Sequence, residues 1–204
     1  LAWIAGGDGR AFGLVVAYSA ADMAPANNLA ENPHGYDNAM RNIDESVGRF
    51  LNQLNVWGLT DRTHVVLTTT HGTHLGESDF GKGHNEHLYG QHALHIPLMI
   101  RQAKASTANQ ATDVLARSID VAPTLLEVAD VDTPEKMQGR SLVPILKGEE
   151  IAHRDFVRCE YYRALNPYAP VREHMQGTFA TMIRDRRYKL VVYHEREMGE
   201  LYDL

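Results

Sequence analysis

Apolar residues fall along this chain in two rhythms, and the change from one to the other sets out its elements. Residues 12–18, FGLVVAY, form an unbroken apolar run rich in valine, which predicts a buried strand. A loop carrying Pro25, Asn27, Asn28 and Pro33 follows. From Tyr36 to Trp57 the apolar residues Ala39, Ile43, Val47, Phe50, Leu51 and Leu54 return at spacings of three and four. That spacing predicts an amphipathic helix, which Gly58 ends. Residues 63–69, THVVLTT, are apolar and β-branched, a second buried strand. Strand, helix, strand implies a parallel crossover unit. Residues 96–100 read as a third strand of that sheet, placed at an edge by Pro97. Ser118–Val128 reads as a helix with Pro123 in its first turns. After Gly148 the rhythm shortens, and Phe156–Tyr162, Thr178–Arg184 and Tyr188–Tyr193 read as successive strands of a small antiparallel sheet. The expected class is α/β: a mostly parallel sheet with flanking helices over residues 1–150, and antiparallel strands of the same domain over 151–204.

Composition narrows the function. The 204 residues are 44% hydrophobic and 23% charged, enough to bury a core. A formal net charge of -6, without a basic stripe, argues against nucleic acid as a partner. The apolar runs are far shorter than the roughly 20 residues a membrane span needs. The first ten residues, LAWIAGGDGR, lack the basic start of a secretory signal. A lone cysteine, Cys159, excludes an intrachain disulfide framework and reads as a buried strand residue. None of this fixes a compartment.

Candidate chemistry is concentrated where the rhythm breaks down, in a Gly- and His-rich loop from Thr70 to Leu94. Residues 68–101 hold His71, His74, His84, His87, His92 and His95, six of the 11 histidines, together with Glu77, Asp79 and Lys82. A loop just past the C-terminal end of a strand is where open α/β sheets place their chemistry. Imidazole and carboxylate suit a divalent cation, and a lysine among them can hold an anionic ester oxygen. A solvated polar loop whose histidines are incidental is the competing interpretation.

The order of motifs resembles the type I sulfatases of the alkaline-phosphatase superfamily. Thr69-Thr70-His71-Gly72, Leu75-Gly76-Glu77, Gly81-Lys82-Gly83-His84 and His95-Ile96-Pro97-Leu98 follow one another as that family's Ser/Thr-Asp-His/Asn-Gly, Leu-Gly-Glu/Asp, Gly-Lys-Gly and apolar Pro-Leu motifs do. Residues 36–54, 119–131, 137–149 and 188–204, the last ending in Glu-Leu-Tyr-Asp-Leu, are similar to its flanking elements. The resemblance implies an alkaline-phosphatase-like fold and a sulfuric ester hydrolase acting on a small-molecule or glycan sulfate ester. It implies Ca2+ held at His71 and at the position of Thr70, Lys82 on the sulfate group, and His84 as a nearby substrate contact.

Three departures accompany the match. No Cys/Ser-x-Pro-x-Arg formylglycine motif occurs in the chain; the nucleophile and a calcium-binding aspartate pair are expected upstream of Leu1. Thr70 replaces the motif's metal-ligating aspartate, which weakens calcium binding. Asp22 stands where the family often has a histidine, and an anion there repels a sulfate ester. The chain alone is therefore expected to be inactive, a fragment or a degenerate member. Alternatives are a phosphoric or phosphonic ester hydrolase of the same superfamily, a non-catalytic binding module retaining the fold, and a protein using the histidines for Zn2+, the last disfavoured because their spacings match no compact zinc motif. Self-association through an exposed apolar sheet is also expected.

Overall fold

The computed structural model describes residues 13–17, 34–75, 88, 90–104, 110–164 and 178–204. The chain divides into two compact units, residues 1–68 with 97–108, and residues 69–96 with 109–204.

In the first unit the helical periodicity becomes α1, His34–Val56. Its stripe is carried inward by Ala39 and Leu54, 8% and 2% exposed. The helix ends as its sequence requires. Gly58 takes φ +66°, and the Leu59 and Gly58 amides turn back to the carbonyls of Leu54 and Asn55, 2.9 Å each. A short 3-10 turn, Thr60–Arg62, leads into β1, Val65–Thr68. β2, Leu98–Arg101, pairs with β1 from Val65↔Arg101 to Thr68↔Leu98.

Two expectations are corrected here. The pairing of β1 with β2 is antiparallel, not parallel, and both strands are half-buried at most. A parallel return must carry the chain back to the opposite end of the strand. Here the chain leaves at Thr68 and re-enters beside it, the Thr68 hydroxyl donating to the Pro97 carbonyl at 2.9 Å. Residues 13–17, expected within a buried strand, form none, and Val15 is 95% exposed. An apolar run buries itself only against a neighbouring strand, and these five residues have no ladder among the described residues.

The second unit centres on a four-stranded meander of β3 Val157–Ala164, β4 Thr178–Arg184, β5 Tyr188–Tyr193 and β6 Gly199–Asp203, antiparallel throughout. β4 and β5 have the bounds read from their apolar pattern. Strand alternation puts Ala180, Met182, Val191 and Tyr193 on the inner face, where Leu88 completes the core. The outer face is apolar as well. Ile183, Tyr188, Leu190, Val192 and Leu201 stand on it, 39–70% exposed, so the expected exposed apolar sheet face lies on this antiparallel sheet.

Beside the sheet, a 3-10 turn, Ser118–Asp120, runs into α2, Val121–Val128, and α3 is a single turn, Val143–Leu146. Their junction is built on the fully buried Asp120 carboxylate. It accepts the Arg117 and Arg140 amides at 2.8 Å each, Arg154 Nη2 at 2.5 Å and His153 Nε2 at 3.3 Å. The Thr124 hydroxyl donates to the Asp120 carbonyl at 2.6 Å and accepts the Leu142 amide at 2.9 Å. Burial alone would raise the Asp120 carboxyl, but the Arg154 bond, the two amides and the Arg154 charge outweigh it and hold it below the usual carboxylate range. Burial pushes the His153 imidazole down; Asp120 pulls against this, and Arg154 and Arg140 add to it.

Both shifts have one sign. Each group is less protonated folded than unfolded, so stability is full above the unfolded values and lost as pH falls, first below about 6.5 through His153 and again below about 4 through Asp120. Urea midpoints across pH should show this two-step fall. Asp120→Asn, which sets an amide against converging donors, should cost roughly 3–5 kcal/mol at neutral pH and remove the lower step. A midpoint independent of pH between 7 and 3 would contradict the assignment.

Candidate functional site

The chain leaving β1 places the first site residues through local bonds. The Thr69 hydroxyl donates to the His71 carbonyl at 2.9 Å. His71 is half-buried, with its Nδ1 2.9 Å from the Gly72 carbonyl. A carbonyl can only accept, so Nδ1 is the donor in this bond and carries the proton there. Thr70 is exposed beside it.

Gly72 fixes what His71 rests on. A Cβ at residue 72 would lie 1.8 Å from the His92 carbonyl oxygen, so the His-Gly pair needs glycine for a backbone approach rather than for a turn. The Gly72 amide donates to Ala93 O at 2.9 Å. His74 is fully buried with its ring 5.5 Å from that of His92, and the Gln91 carbonyl accepts the amides of Leu94 and His95 at 3.0 and 2.7 Å. Of the six loop histidines, His71, His74, His92 and His95 are described, and of these His74 is the one withdrawn into the interior. Lys82 and His84, with Glu77, Asp79, His87 and Asp22, lie outside the described residues.

Residues that the sequence did not single out hold this loop to the sheet. Lys189, on the inner face of β5 and 2% exposed, donates from Nζ to the Gly90 carbonyl. Its cross-strand neighbour Arg184 donates to the Gln91 side chain at 3.1 Å. Burial pushes the Lys189 ammonium down to about 8; Glu200 and Cys159 pull it up and Arg184 pushes it further down. Glu200 is held in turn by the hydroxyls of Tyr193, at 2.8 Å, and Tyr202. The signal available was a lysine at an inner position of an alternating strand. Cys159 sits half-buried on β3 against the core, its thiol pushed up by burial first, which makes it a packing residue, not a nucleophile.

A divalent cation needs several hard donors together. Among the described residues no three His, Cys, Asp or Glu side chains are gathered so as to hold one. His71 and the neutral Thr70 do not complete such a site among the described residues.

Two family models match the chain: the sulfatase model over residues 15–131, and N-sulphoglucosamine sulphohydrolase, C-terminal, over 82–204. An N-acetylglucosamine-6-O-sulfatase of Bacteroides thetaiotaomicron is 31% identical over 79% of this chain and 28% of its own length. The human N-acetylglucosamine-6-sulfatase is 29% identical over 61% of this chain and 24% of its own. A solved structure in complex with its substrate D-glucosamine-2-N,6-O-disulfate is 29% identical with TM-score 0.68, over 83% of this chain and 32% of that one. The phosphonate monoester hydrolase of Silicibacter pomeroyi is 26% identical with TM-score 0.67, over the same shares. The chain thus spans under a third of each of these proteins. Family membership implies a divalent metal ion in general terms, and no helix among the described residues is long and apolar enough to cross a membrane. With two models overlapping across residues 82–131, this chain belongs to the sulfatase family and has its alkaline-phosphatase-like α/β fold.

Proposed function

We propose that residues 68–101 supply part of a sulfuric-ester hydrolase site, with Lys82 and His84 on the ester group and His71 at the metal-facing strand end. The observation that carries this reading is the sulfatase family match over residues 15–131, a span that includes both Thr70-His71-Gly72 and Lys82-Gly83-His84. In this reading Lys82 neutralises charge developing on the sulfate oxygens, and His84 holds or delivers a proton at the ester oxygen. The substrate class is a sulfate ester of an amino sugar or a related glycan, since two relatives are named for N-acetylglucosamine sulfate and one neighbour holds a glucosamine disulfate.

The cation proposed is calcium rather than zinc, as the resemblance to the type I sulfatases implies, since the histidine spacings match no compact zinc motif. Thr70 brings no charge, so affinity is weak. The neighbouring phosphonate hydrolase favours one second reading, a phosphoric or phosphonic ester as substrate, and chromogenic esters of both acids assayed side by side separate the two. The apolar outer face of the four-stranded sheet supports self-association through that face.

Three outcomes follow. Calorimetric titration should show Thr70→Asp binding calcium at least about tenfold more tightly, a gain of about 1.4 kcal/mol; an unchanged affinity would remove residue 70 from the metal site. The 204-residue chain should leave chromogenic sulfate esters at background, because it contains no formylglycine motif and positioning alone lacks the covalent step; calcium-dependent turnover abolished by Lys82→Ala would overturn that expectation. Sedimentation should show a concentration-dependent dimer that Leu201→Lys shifts to monomer, and a monomer at all concentrations would exclude the sheet face as a contact.

A further inference from the structure

We infer that Lys189 and Arg184 are positioning residues that clamp the 90–93 backbone beneath His71, and this rests on the reading of the His71 loop as the hydrolase site. The two are direct cross-strand partners on the inner face of β4 and β5. Like charges placed opposite one another destabilise a sheet, and a nearly fully buried lysine carries a desolvation cost that an aliphatic residue would avoid.

Both cations are placed to take an acceptor from successive loop residues. Lys189 Nζ donates to the Gly90 carbonyl and lies 5.4 Å from the centre of the Tyr202 ring. Arg184 donates to the Gln91 amide oxygen at 3.1 Å. Glu200, opposite Val191 on β6, supplies the negative charge behind them.

The clamp reaches the site through backbone alone. One residue beyond Gln91, the His92 carbonyl oxygen packs against Gly72 too closely for any Cβ; the next carbonyl, Ala93 O, accepts the Gly72 amide at 2.9 Å. Gly72 O in turn accepts the hydrogen bond from His71 Nδ1. Releasing Gly90 and Gln91 frees the surface on which that imidazole is oriented, while the sheet keeps its apolar core of Ala180, Met182, Val191 and Tyr193.

Amide hydrogen exchange tests the clamp without reference to activity. In Lys189→Met and in Gln91→Ala, protection of the Gly72 amide should fall at least tenfold while the Met182 and Val191 amides keep theirs, and Lys189→Arg should restore part of the loss. Unchanged Gly72 protection in Gln91→Ala overturns the inference, and this variant decides the matter if Lys189→Met fails to fold. Titration with inorganic sulfate, followed at the His71 ring by NMR, addresses the site reading separately. Binding that is weakened in Gln91→Ala supports both, whereas a His71 ring unmoved by sulfate in the unmodified chain sinks the site reading and leaves the exchange result to judge the clamp.

Discussion

The inner face of the four-stranded sheet has to be covered, and part of the cover comes from the histidine-rich loop after β1, through Leu88 and Leu94. Leu88 completes the core of Ala180, Met182, Val191 and Tyr193, and Leu94 packs alongside. A buried leucine of this kind contributes about 2–3 kcal/mol by area removed from water, enough to hold a segment with little regular structure of its own. The same contact that finishes the core therefore helps to fix Leu88 and residues 90–95, and through Gly72 the backbone under His71.

Apolar packing cannot orient a backbone carbonyl, and polar groups take over where direction matters. Asp120 shows the rule at the α2–α3 junction, where one carboxylate receives two backbone amides and two side chains from residues 117–154. Lys189 shows it at the loop. Each is a buried charge that would be costly alone and is retained with its partners assembled around it. Removing a partner in either case leaves a charge with no water to turn to, which is why these clusters make the neighbouring geometry specific.

Much of this was legible in the chain. The 3.6-residue rhythm gave α1 with its Gly58 ending, and alternation gave β4 and β5 to the residue. Pairing direction was not legible, because the apolar runs at 63–69 and 96–100 look the same whether the ladder is parallel or antiparallel; the deciding contact joins Thr68 to Pro97 across 29 residues. Residues 13–17 failed for a related reason: composition sets the wish to be buried, and a partner strand grants it. Asp120 and Lys189 were present within recognised segments, yet a charge in an apolar pattern reads as an exposed position until its partners, 20 to 99 residues away, are brought to it.

That division bears on how the family motifs should be weighed. Gly72 is demanded by a carbonyl pressed against it, Asp120 by four converging donors, and Lys189 by the loop it holds. Folding alone would preserve all three in a member that had lost its chemistry. Thr70 is different: it is exposed, and no packing constraint on the fold depends on its hydroxyl among the described residues. Stability therefore leaves that position free to drift, and under the proposed metal role a neutral side chain there would weaken cation binding without disturbing the fold. The match across residues 15–204 speaks for the fold, and the proposed chemistry rests on residues such as Thr70 that the fold does not need. A chain can keep the first in full while the second weakens, since the two are held by different residues.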